Sequence, residues 1–488
     1  MNLYDLIERH GRAMPHATAF VTPSRATGYA EAAGQARRMA ASWSSAGVGP
    51  GDIVAVRLPN TPSAVLALLA LARLGAAHVP LPVRRPADEL APLVQSLGVT
   101  ATVATDEVSA LPGTRWLPAD DGNPSSAADA APRHPGGDGI ALVGLTSGTT
   151  GTPKAVAWTH RQLVASWEIQ QRLLPFAPGA RVLPLMGMDG NYPLQLALRV
   201  LLGGGTVVLT PGIGPSALFD AVDRLGATDV VAAPGALIHA MRGLSPDAAR
   251  LERLDSLRVG GSTVSPALVS RLRRTLCSRL HVTYGSTETG LVATGSGAVL
   301  DRAPHAVGRL APWVEAEAVD DDGRVLPRGE RGMLRFRSDH FVDGYWRGGS
   351  EASVYADGWC RPGDIGRLLP DDTLVVEGRA DDVINLDGTK VRPADVEGVL
   401  LQLPGLHEAA AYTIAAADGS TRLLAAVIAD ETFDGRAALA HCREQLGARA
   451  PAHLVRVREL PRNAMGKVLR TELAARTRIS STSGSGSA

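Results

Sequence analysis

Short apolar runs alternate with amphipathic helical patterns over most of the chain, and this alternation constrains the fold more than any other feature. Repeated strand–helix–strand order favours a largely parallel sheet with helices on both faces. The chain is therefore predicted to be an α/β protein. The strand-like runs are DIVAVRL (52–58), AHVPL (77–81), GTVVLTP (205–211), TDVVAAP (228–234) and HVTYG (281–285), and the helix-like segments are 61–75, 86–97, 215–226 and 265–276.

The pattern changes after about Trp313, where DGRVLPRGERGMLRFRS and IGRLLPDDTLVVEGR are typical of strand–turn–strand units. This part is predicted to be a smaller β-rich portion of the same large N-terminal unit. A chain of 488 residues exceeds a single core. We expect an N-terminal domain over 1–378 with several subdomains, a hinge over 379–382, an α+β C-terminal domain over 383–478 and a flexible tail over 479–488.

Composition excludes several classes of function. The formal net charge is zero, which gives no electrostatic reason to expect nucleic acid or an anionic membrane as partner. Cys277, Cys360 and Cys442 lie far apart without CxxC spacing, so neither a metal site nor a disulfide framework is expected. The apolar run 64–74 is interrupted by Arg73 and is too short to span a bilayer. These observations predict a cytoplasmic protein without a membrane partner.

The segment LTSGTTGTPKAV (145–156) directly follows the apolar run GIALVG. Its glycines allow close approach of the backbone, its N–H and hydroxyl groups donate to oxygen, and its lysine adds a point charge, a combination that suits a polyphosphate. The lysine comes three residues after the last glycine, so the loop is not a Walker A loop. The residues predicted to bind phosphate are Thr146, Ser147, Gly148, Thr149, Thr150 and Lys154.

Two further segments place a single carboxylate in a turn. In HVTYGSTETG (281–290), Glu288 follows a strand and is positioned as a ligand of nucleotide-bound Mg²⁺, or it is a solvated turn residue. In YADGWCRPGDIGRL, Asp364 would accept hydrogen bonds from the hydroxyls of a ribose, or it simply forms the turn.

These segments are followed along the chain by GRADDVINLDGTKVRPADVE and, near the C-terminus, by PRNAMGKVLR. In that order the chain resembles the adenylate-forming enzymes, which include acyl-CoA synthetases, amino- and aryl-acid adenylating enzymes, luciferases and related acyl ligases. VGGSTVSP (259–266) and YGSTETG look like the adenine and Mg²⁺ motifs of that family, and GWCRPGD looks like its ribose motif. The last two segments look like its hinge motif and its terminal lysine motif. The resemblance runs from about Leu3 to Leu473.

The resemblance implies a large N-terminal domain, a mobile C-terminal domain and two half-reactions. In the first, a carboxylate attacks the α-phosphate of ATP and releases pyrophosphate. In the second, a nucleophile attacks the acyl-adenylate and releases AMP. A water-sensitive mixed anhydride benefits from a domain that closes over it and then presents another face.

The same resemblance implies roles for individual residues. Lys467 would bridge the attacking carboxylate and the α-phosphate, Glu288 would hold Mg²⁺, and Asp381 would be the pivot of the hinge. Asp364 and Arg379 would bind the ribose hydroxyls. The remaining ATP-binding residues would be the phosphate-binding residues above together with Gly261, Ser262, Tyr284, Gly285, Ser286 and Thr287.

The segment LPLMGMDGNYPLQLALRVLLGGG (183–205) departs from the family pattern, because Asp189 stands about where acyl-CoA synthetases carry a histidine. This carboxylate would pair with an amino group of the acid, or act as base or anchor for an amine nucleophile, or cap the following helix. Tyr192, Gly235 and Gly260 lie near the expected acid pocket.

We therefore expect an ATP- and Mg²⁺-dependent ligase that adenylates a small carboxylic acid. A thiol acceptor, either CoA or the phosphopantetheine of a carrier protein, is favoured because the segment KVRPADVE resembles that of acyl-CoA ligases. No carrier domain follows Lys467 in this sequence, so a carrier protein is expected to be a separate chain. The alternatives are a stand-alone amino-acid adenylating enzyme and an amide bond-forming ligase of secondary metabolism with a small amine as acceptor. A luciferase-like oxidase and a catalytically silent adenylate-binding module are other classes to consider, and the intact motif residues argue against silence.

Lysine is almost absent from the chain. Among 49 Lys and Arg residues, lysine occurs only as Lys154, Lys390 and Lys467, and each lies within one of the segments above. A compact ammonium on a flexible stem can enter between a carboxylate and a phosphate and withdraw again, whereas the planar guanidinium of arginine suits fixed bidentate pairs. Lys154 and Lys467 therefore suit phosphate chemistry.

Overall fold

The structure is a computed structural model. It describes residues 2–119, 136–146, 154–212, 214–241, 251, 253–262, 264–303, 305–342, 344–347, 354–380, 382–386, 389–415, 421–462 and 468–482. Its helices are α1 (Leu3–Ala13), α2 (Tyr29–Ser45), α3 (Pro62–Leu74), α4 (Ala87–Leu97), α5 (His160–Leu173), α6 (Asn191–Leu202), α7 (Pro215–Asp223), α8 (Pro234–Ala240), α9 (Pro266–Thr275), α10 (Pro393–Leu400), α11 (Gly435–Leu446) and α12 (Arg470–Thr482).

The strands form four sheets in the described part of the chain. The largest contains β1 (Thr18–Val21), β2 (Ala26–Gly28), β9 (Arg181–Leu185), β10 (Thr206–Val208), β11 (Asp229–Ala232), β12 (Ser256–Val259), β13 (Leu280–Ser286), β14 (Gly290–Ser296), β15 (Ala306–Leu310), β16 (Glu315–Val319), β17 (Gly332–Arg337), β18 (Tyr355–Ala356), β19 (Trp359–Cys360), β20 (Asp364–Leu368) and β21 (Thr373–Arg379). A second contains β3 (Ile53–Arg57), β4 (Ala77–Pro80), β5 (Ala101–Ala104), β6 (Arg115–Pro118), β7 (Ile140–Thr146) and β8 (Lys154–Thr159). The small sheets contain β22 (Ile384–Leu386) with β23 (Thr389–Val391), and β24 (Leu406–Ala415), β25 (Thr421–Ala429) and β26 (His453–Arg456).

The largest sheet combines a parallel and an antiparallel half. From β13 through β12, β11, β9 and β10 to β1 the neighbours are parallel, as the strand–helix alternation predicts. From β13 through β14, β15 and β21 to β20 and β17 they are antiparallel. The β-rich portion predicted after Trp313 is therefore continuous with the parallel sheet. The prediction of a mixed α/β fold with mostly parallel sheets and a β-rich portion is confirmed.

The six-stranded sheet is parallel except at one edge. Its order is β6-β5-β3-β4-β7-β8, and only the last pair is antiparallel. In that hairpin Thr146 pairs with Lys154, so the predicted phosphate loop begins and ends at one point of the sheet edge.

An apolar layer fills the space between the two large sheets. Its centre is α3, in which every residue from Ala64 to Leu74 is buried, because helices pack on it on one side and strands on the other. The same cluster includes Val56 from the six-stranded sheet and Val182 from the larger one. Among the described residues, no helix has the length and apolarity needed to cross a bilayer.

The chain after Arg379 contains its own apolar clusters. One lies around Val396 of α10 and Leu423 of β25, and the other includes Leu473 of α12. Helix α12 continues to Thr482, so its last turn enters the range 479–488 that was expected to be a flexible tail. The predicted division into domains at 379–382 stays a prediction.

His78 makes the stability of this fold dependent on pH. It lies on the central strand β4 with 1 % of its surface exposed. Burial lowers its pKa to about 3, although a contact with its own backbone opposes this effect. Below pH 6.5 or so the unfolded chain binds a proton that the folded chain does not, so this residue destabilises the fold as pH falls toward 3.

We expect the free energy of unfolding to fall by about 1.4 kcal/mol between pH 7.5 and 5.5 on account of His78. A His78→Leu variant should lack this loss, which denaturant unfolding at the two pH values would measure. His16→Gln changes an exposed histidine and serves as the control. An equal acid sensitivity in His78→Leu and in the unsubstituted protein would contradict the assignment.

Candidate active site

The turn between β13 and β14 carries Glu288. It is held by hydrogen bonds from the Ser286 amide to the Thr289 hydroxyl (3.0 Å) and from the Glu288 amide to the Ser286 hydroxyl (3.2 Å). Gly285 is required at the start of this turn, because a Cβ there would overlap the carbonyl oxygen of Gly290. The small-residue run GSTETG therefore forms a tight, prearranged turn that presents one carboxylate.

Glu288 and Lys154, which come from the two different large sheets, contact the same tyrosine side chain. The hydroxyl of Tyr345 donates to Oε1 of Glu288 at 3.0 Å. The ammonium of Lys154 lies over the ring of the same tyrosine, 4.8 Å from its centroid. The structure thus brings together the lysine of the predicted phosphate loop and the predicted Mg²⁺ ligand. Thr146 ends β7 as the register partner of Lys154, while Ser147, Gly148, Thr149 and Thr150 lie outside the described residues.

A second charged group lies at the start of β20. Asp364 is the register partner of Arg379 on β21, and the guanidinium Nη1 lies 3.7 Å from the carboxylate Oδ1. The hydroxyl of Tyr284 donates to Oδ2 of the same carboxylate. Burial raises the pKa of Tyr284 well above its ordinary value, and the Asp364 charge adds to the effect. Tyr284 is therefore a permanent donor that orients Asp364.

Most predicted binding residues lie at one edge of the large sheet. The strands β9, β11, β12 and β13 are adjacent and parallel, so their carboxyl ends meet there. Clefts outside such strand ends are the usual ligand sites of open α/β sheets. The residues at this edge are Asp189 and Tyr192 after β9, Gly235 after β11, Gly260, Gly261 and Ser262 after β12, and Tyr284, Gly285, Ser286, Thr287 and Glu288 at the end of β13.

The loop after β12 lies directly against β13. A Cβ at Gly260 would overlap the hydroxyl of Thr283, and Gly261 adopts a φ of 85° that favours glycine. The two glycines let this backbone approach the strand end, as a loop that contacts a flat base or an acyl group requires.

The structure excludes one of the three interpretations of Asp189. Helix α6 begins at Asn191, its N-cap is Gly190, and no side chain caps it. The capping interpretation is therefore wrong, because the helix starts one residue later than Asp189 would need. Burial raises the pKa of the Asp189 carboxyl, although its own amide, the Val83 amide and the charge of Arg84 oppose this. A half-buried carboxyl with a raised pKa is suited to proton transfer or to an amine partner.

The described residues contain no group of three His, Cys, Asp or Glu side chains that could enclose a metal ion. Glu288 supplies one carboxylate beside a lysine. Mg²⁺ that arrives on a nucleotide needs only one or two protein carboxylates, because phosphates and waters complete its coordination. The residues present fit that mode of binding.

Three arginines surround Glu377 just before the predicted hinge. Arg331 and Arg392 donate to its Oε2 at 2.8 and 2.7 Å, and Arg367 donates to its Oε1 at 3.0 Å. Arg392 precedes α10, so this cluster joins the chain before and after residue 381. Burial would raise the pKa of Glu377, but hydrogen bonds from Arg392 and Arg331 lower it below its ordinary value. Asp381 and Lys467 themselves lie outside the described residues.

Sequence reasoning did not identify Tyr345. It lies 57 positions from Glu288 and follows a glycine in the segment VDGYW, where a buried aromatic residue is usually part of the core. Only the packing of the two sheets reveals that it contacts both charged residues.

A family model described as AMP-binding enzyme matches residues 7–346. The chain belongs to this AMP-binding enzyme family. It is therefore an adenylate-forming ligase, and the resemblance found in its motifs is confirmed.

The chain is similar along nearly its whole length to several known proteins. It is 32 % identical over 490 residues to a feruloyl-CoA synthase of Amycolatopsis sp, covering 96 % of this chain and 97 % of that enzyme. ATP-bound MatB from Rhodopseudomonas palustris superposes with a TM-score of 0.84 at 25 % identity, covering 98 % of this chain and 99 % of MatB. The amide bond synthetase McbA from Marinactinospora thermotolerans superposes with a TM-score of 0.82 at 27 % identity, covering 98 % of this chain and 100 % of McbA.

We expect Asp364→Asn to raise KM for ATP by about tenfold or more, because a hydrogen bond to a charged group contributes about 1.5–3 kcal/mol. Steady-state pyrophosphate release at varied ATP would measure it. Asp255→Asn, at an exposed ion pair with Arg279 at the amino-terminal edge of the sheet, is the matched control. An unchanged KM in Asp364→Asn would rule out a ribose contact.

Proposed function

We propose that this ligase activates a small carboxylic acid as acyl-AMP and passes the acyl group to a thiol. The observation that carries the proposal is the arrangement of charges at one sheet edge. The Asp364 carboxylate accepts a hydrogen bond from Tyr284 near the carboxyl end of β13. Glu288, in the turn after β13, and Lys154 both contact Tyr345. A nucleotide matches this arrangement, because its sugar hydroxyls would donate to the Asp364 carboxylate and its polyphosphate would meet the Lys154 ammonium. The ATP-bound structural neighbour supports ATP as the nucleotide.

In the first half-reaction a carboxylate oxygen of the acid attacks the α-phosphorus of ATP. The bond from that phosphorus to the bridging oxygen breaks, and pyrophosphate leaves with the electron pair. Lys154 and the hydroxyls and amides of residues 146–150 would bind the phosphates, and Asp364 and Arg379 would bind the ribose. Gly261, Ser262, Tyr284, Gly285, Ser286 and Thr287 would surround the adenosine part.

Lys467 would lie between the attacking carboxylate and the α-phosphate during this step. Its positive charge would reduce the repulsion between two anions and would stabilise charge that develops on the phosphate oxygens. Glu288 would hold Mg²⁺, which when bound supplies further charge neutralisation on the phosphates.

In the second half-reaction the sulfur of a thiol attacks the acyl carbon. The carbon–oxygen bond to AMP breaks, AMP leaves with the electron pair, and the thiol proton passes to a base or to water. CoA is the first candidate acceptor, because feruloyl-CoA synthase is among the relatives that match nearly the whole chain. The phosphopantetheine of a separate carrier protein is the other thiol with the same chemistry. A pivot at Asp381 would exchange Lys467 for a second face of the C-terminal domain between the steps.

One observation favours a second candidate, an amine acceptor. Asp189 does not cap α6, and its half-buried carboxyl has a raised pKa. A carboxylate at this position is able to accept the proton of an attacking amine or to pair with an ammonium group of the substrate. The likeness to an amide bond synthetase over 98 % of the chain supports the same alternative.

We expect ATP-dependent pyrophosphate release with at least one member of a panel of small acids, with aromatic acids tested first. In Lys467→Ala this release should fall by about 100-fold or more, because a charge aimed at the reacting phosphate is lost. Transfer from pre-made acyl-AMP should be largely spared. Adenylation by Lys467→Ala at a rate near that of the unsubstituted enzyme would contradict the assigned role.

Mass spectrometry of the products with CoA, with a phosphopantetheinylated carrier protein and with simple amines identifies the acceptor. We expect Asp189→Asn to lower amide formation by about 100-fold, the usual contribution of a general base, while pyrophosphate release changes little. The control is Asp223→Asn on the exposed end of α7. Equal rates of amide formation by Asp189→Asn and Asp223→Asn would show that Asp189 takes no part in the reaction.

A further inference from the structure

Val342 and residues 344–346 contact both large sheets beside the site. The amide of Val342 donates to the backbone carbonyl of Glu288 at 3.3 Å. The amide of Trp346 donates to the carbonyl of Ala155 on β8 at 2.8 Å. Tyr345 lies between these two anchors, so its position is set by the backbone on both sides.

The side chain of Tyr345 contacts both charged residues at once. Its hydroxyl donates to Oε1 of Glu288 at 3.0 Å, and the Lys154 ammonium lies 4.8 Å from its ring centroid. The ring also meets the edge of the Tyr355 ring, with centroids 5.8 Å apart and planes at 81°. Only 7 % of Tyr345 is exposed. Packing, ring contact and hydrogen bond together hold this side chain in one orientation.

This arrangement keeps two opposite charges apart. Lys154 and Glu288 contact different parts of one tyrosine side chain. A direct ion pair between them would instead neutralise both charges. Within the part of the chain that the structure describes, Lys154 forms no ion pair with any carboxylate. The negative face of an aromatic ring attracts an ammonium without neutralising it, and the phenol occupies one oxygen of Glu288 without carrying a charge.

The backbone anchors on both sides of Tyr345 direct its hydroxyl to Oε1 of Glu288. The second carboxylate oxygen of Glu288, Oε2, remains directed elsewhere.

We propose that Tyr345 is a positioning residue that holds Lys154 and Glu288 apart, so that the ammonium meets the triphosphate and the carboxylate meets the Mg²⁺ that the triphosphate carries. This inference rests on the proposed function, since it requires nucleotide at this sheet edge. One side chain thereby positions two residues. The ring of Tyr345 positions Lys154 for the triphosphate, and its hydroxyl positions Glu288 for the Mg²⁺.

Three variants separate these contributions. Tyr345→Phe keeps the ring below Lys154 and removes only the donor to Glu288, whereas Tyr345→Leu removes both. Tyr355→Phe is the matched control, because it makes the same chemical change in the neighbouring ring. Calorimetry with α,β-methylene-ATP, which cannot be cleaved at the reacting bond, measures binding with and without Mg²⁺.

For Tyr345→Phe we expect binding without Mg²⁺ to stay within about twofold of the unsubstituted enzyme, while the strengthening of binding by Mg²⁺ falls by about threefold or more. For Tyr345→Leu we expect binding without Mg²⁺ to weaken as well, by about threefold or more, because the cation–π contact is lost. Tyr355→Phe should match the unsubstituted enzyme in both measurements. Pyrophosphate release should follow the same order, with the Phe variant partly rescued by high Mg²⁺.

Equal binding by Tyr345→Phe and the unsubstituted enzyme, with and without Mg²⁺, would overturn the inference and leave Tyr345 a packing residue. So would equal losses in Tyr345→Phe and Tyr355→Phe. If Tyr345→Leu does not fold, the Phe variant and its control decide the question alone. Failure of the unsubstituted enzyme to bind the analogue would instead contradict the proposed function itself.

Discussion

The apolar layer between the two large sheets determines where the polar residues of the site can meet. Lys154 starts an edge strand of one sheet, and Glu288 lies in a turn of the other, so their separation depends on how the helices between the sheets pack. The centre of that layer is α3, which is buried along its length. Asn60, just before α3, also fixes the loop that leads to Asp189, because it donates to the carbonyl of Met186 at 3.1 Å and accepts from the amide of Met188 at 2.7 Å.

Features that depend on local sequence were predictable. Alternating strand and helix patterns predicted the parallel half of the large sheet, and the carboxylates that follow strands lie at strand ends. Asp364 and Arg379 lie opposite each other because they begin and end two strands joined by a short turn. These relations follow from the period of strands and from turn chemistry, which a single sequence expresses directly.

Features that depend on packing between distant segments were not predictable. The contact of Tyr345 with Glu288 and Lys154 requires three segments to meet, and no spacing in the sequence records it. The capping role considered for Asp189 failed because the exact first residue of a helix depends on its surroundings, and here glycine takes the N-cap position. The continuity of the antiparallel strands with the parallel sheet also depends on one long-range pair, β15 with β21.

The cluster around Glu377 shows what a nearly lysine-free chain does with its cations. A carboxylate that accepts from three guanidinium groups has its pKa lowered below the ordinary value, and a guanidinium does not lose its proton. The charges of this junction between the chain segments before and after residue 381 therefore do not change with pH near neutrality. Opening the junction requires water or another anion to replace Glu377 at Arg392. A displacement of the two chain segments therefore opens it, whereas a change of pH near neutrality does not.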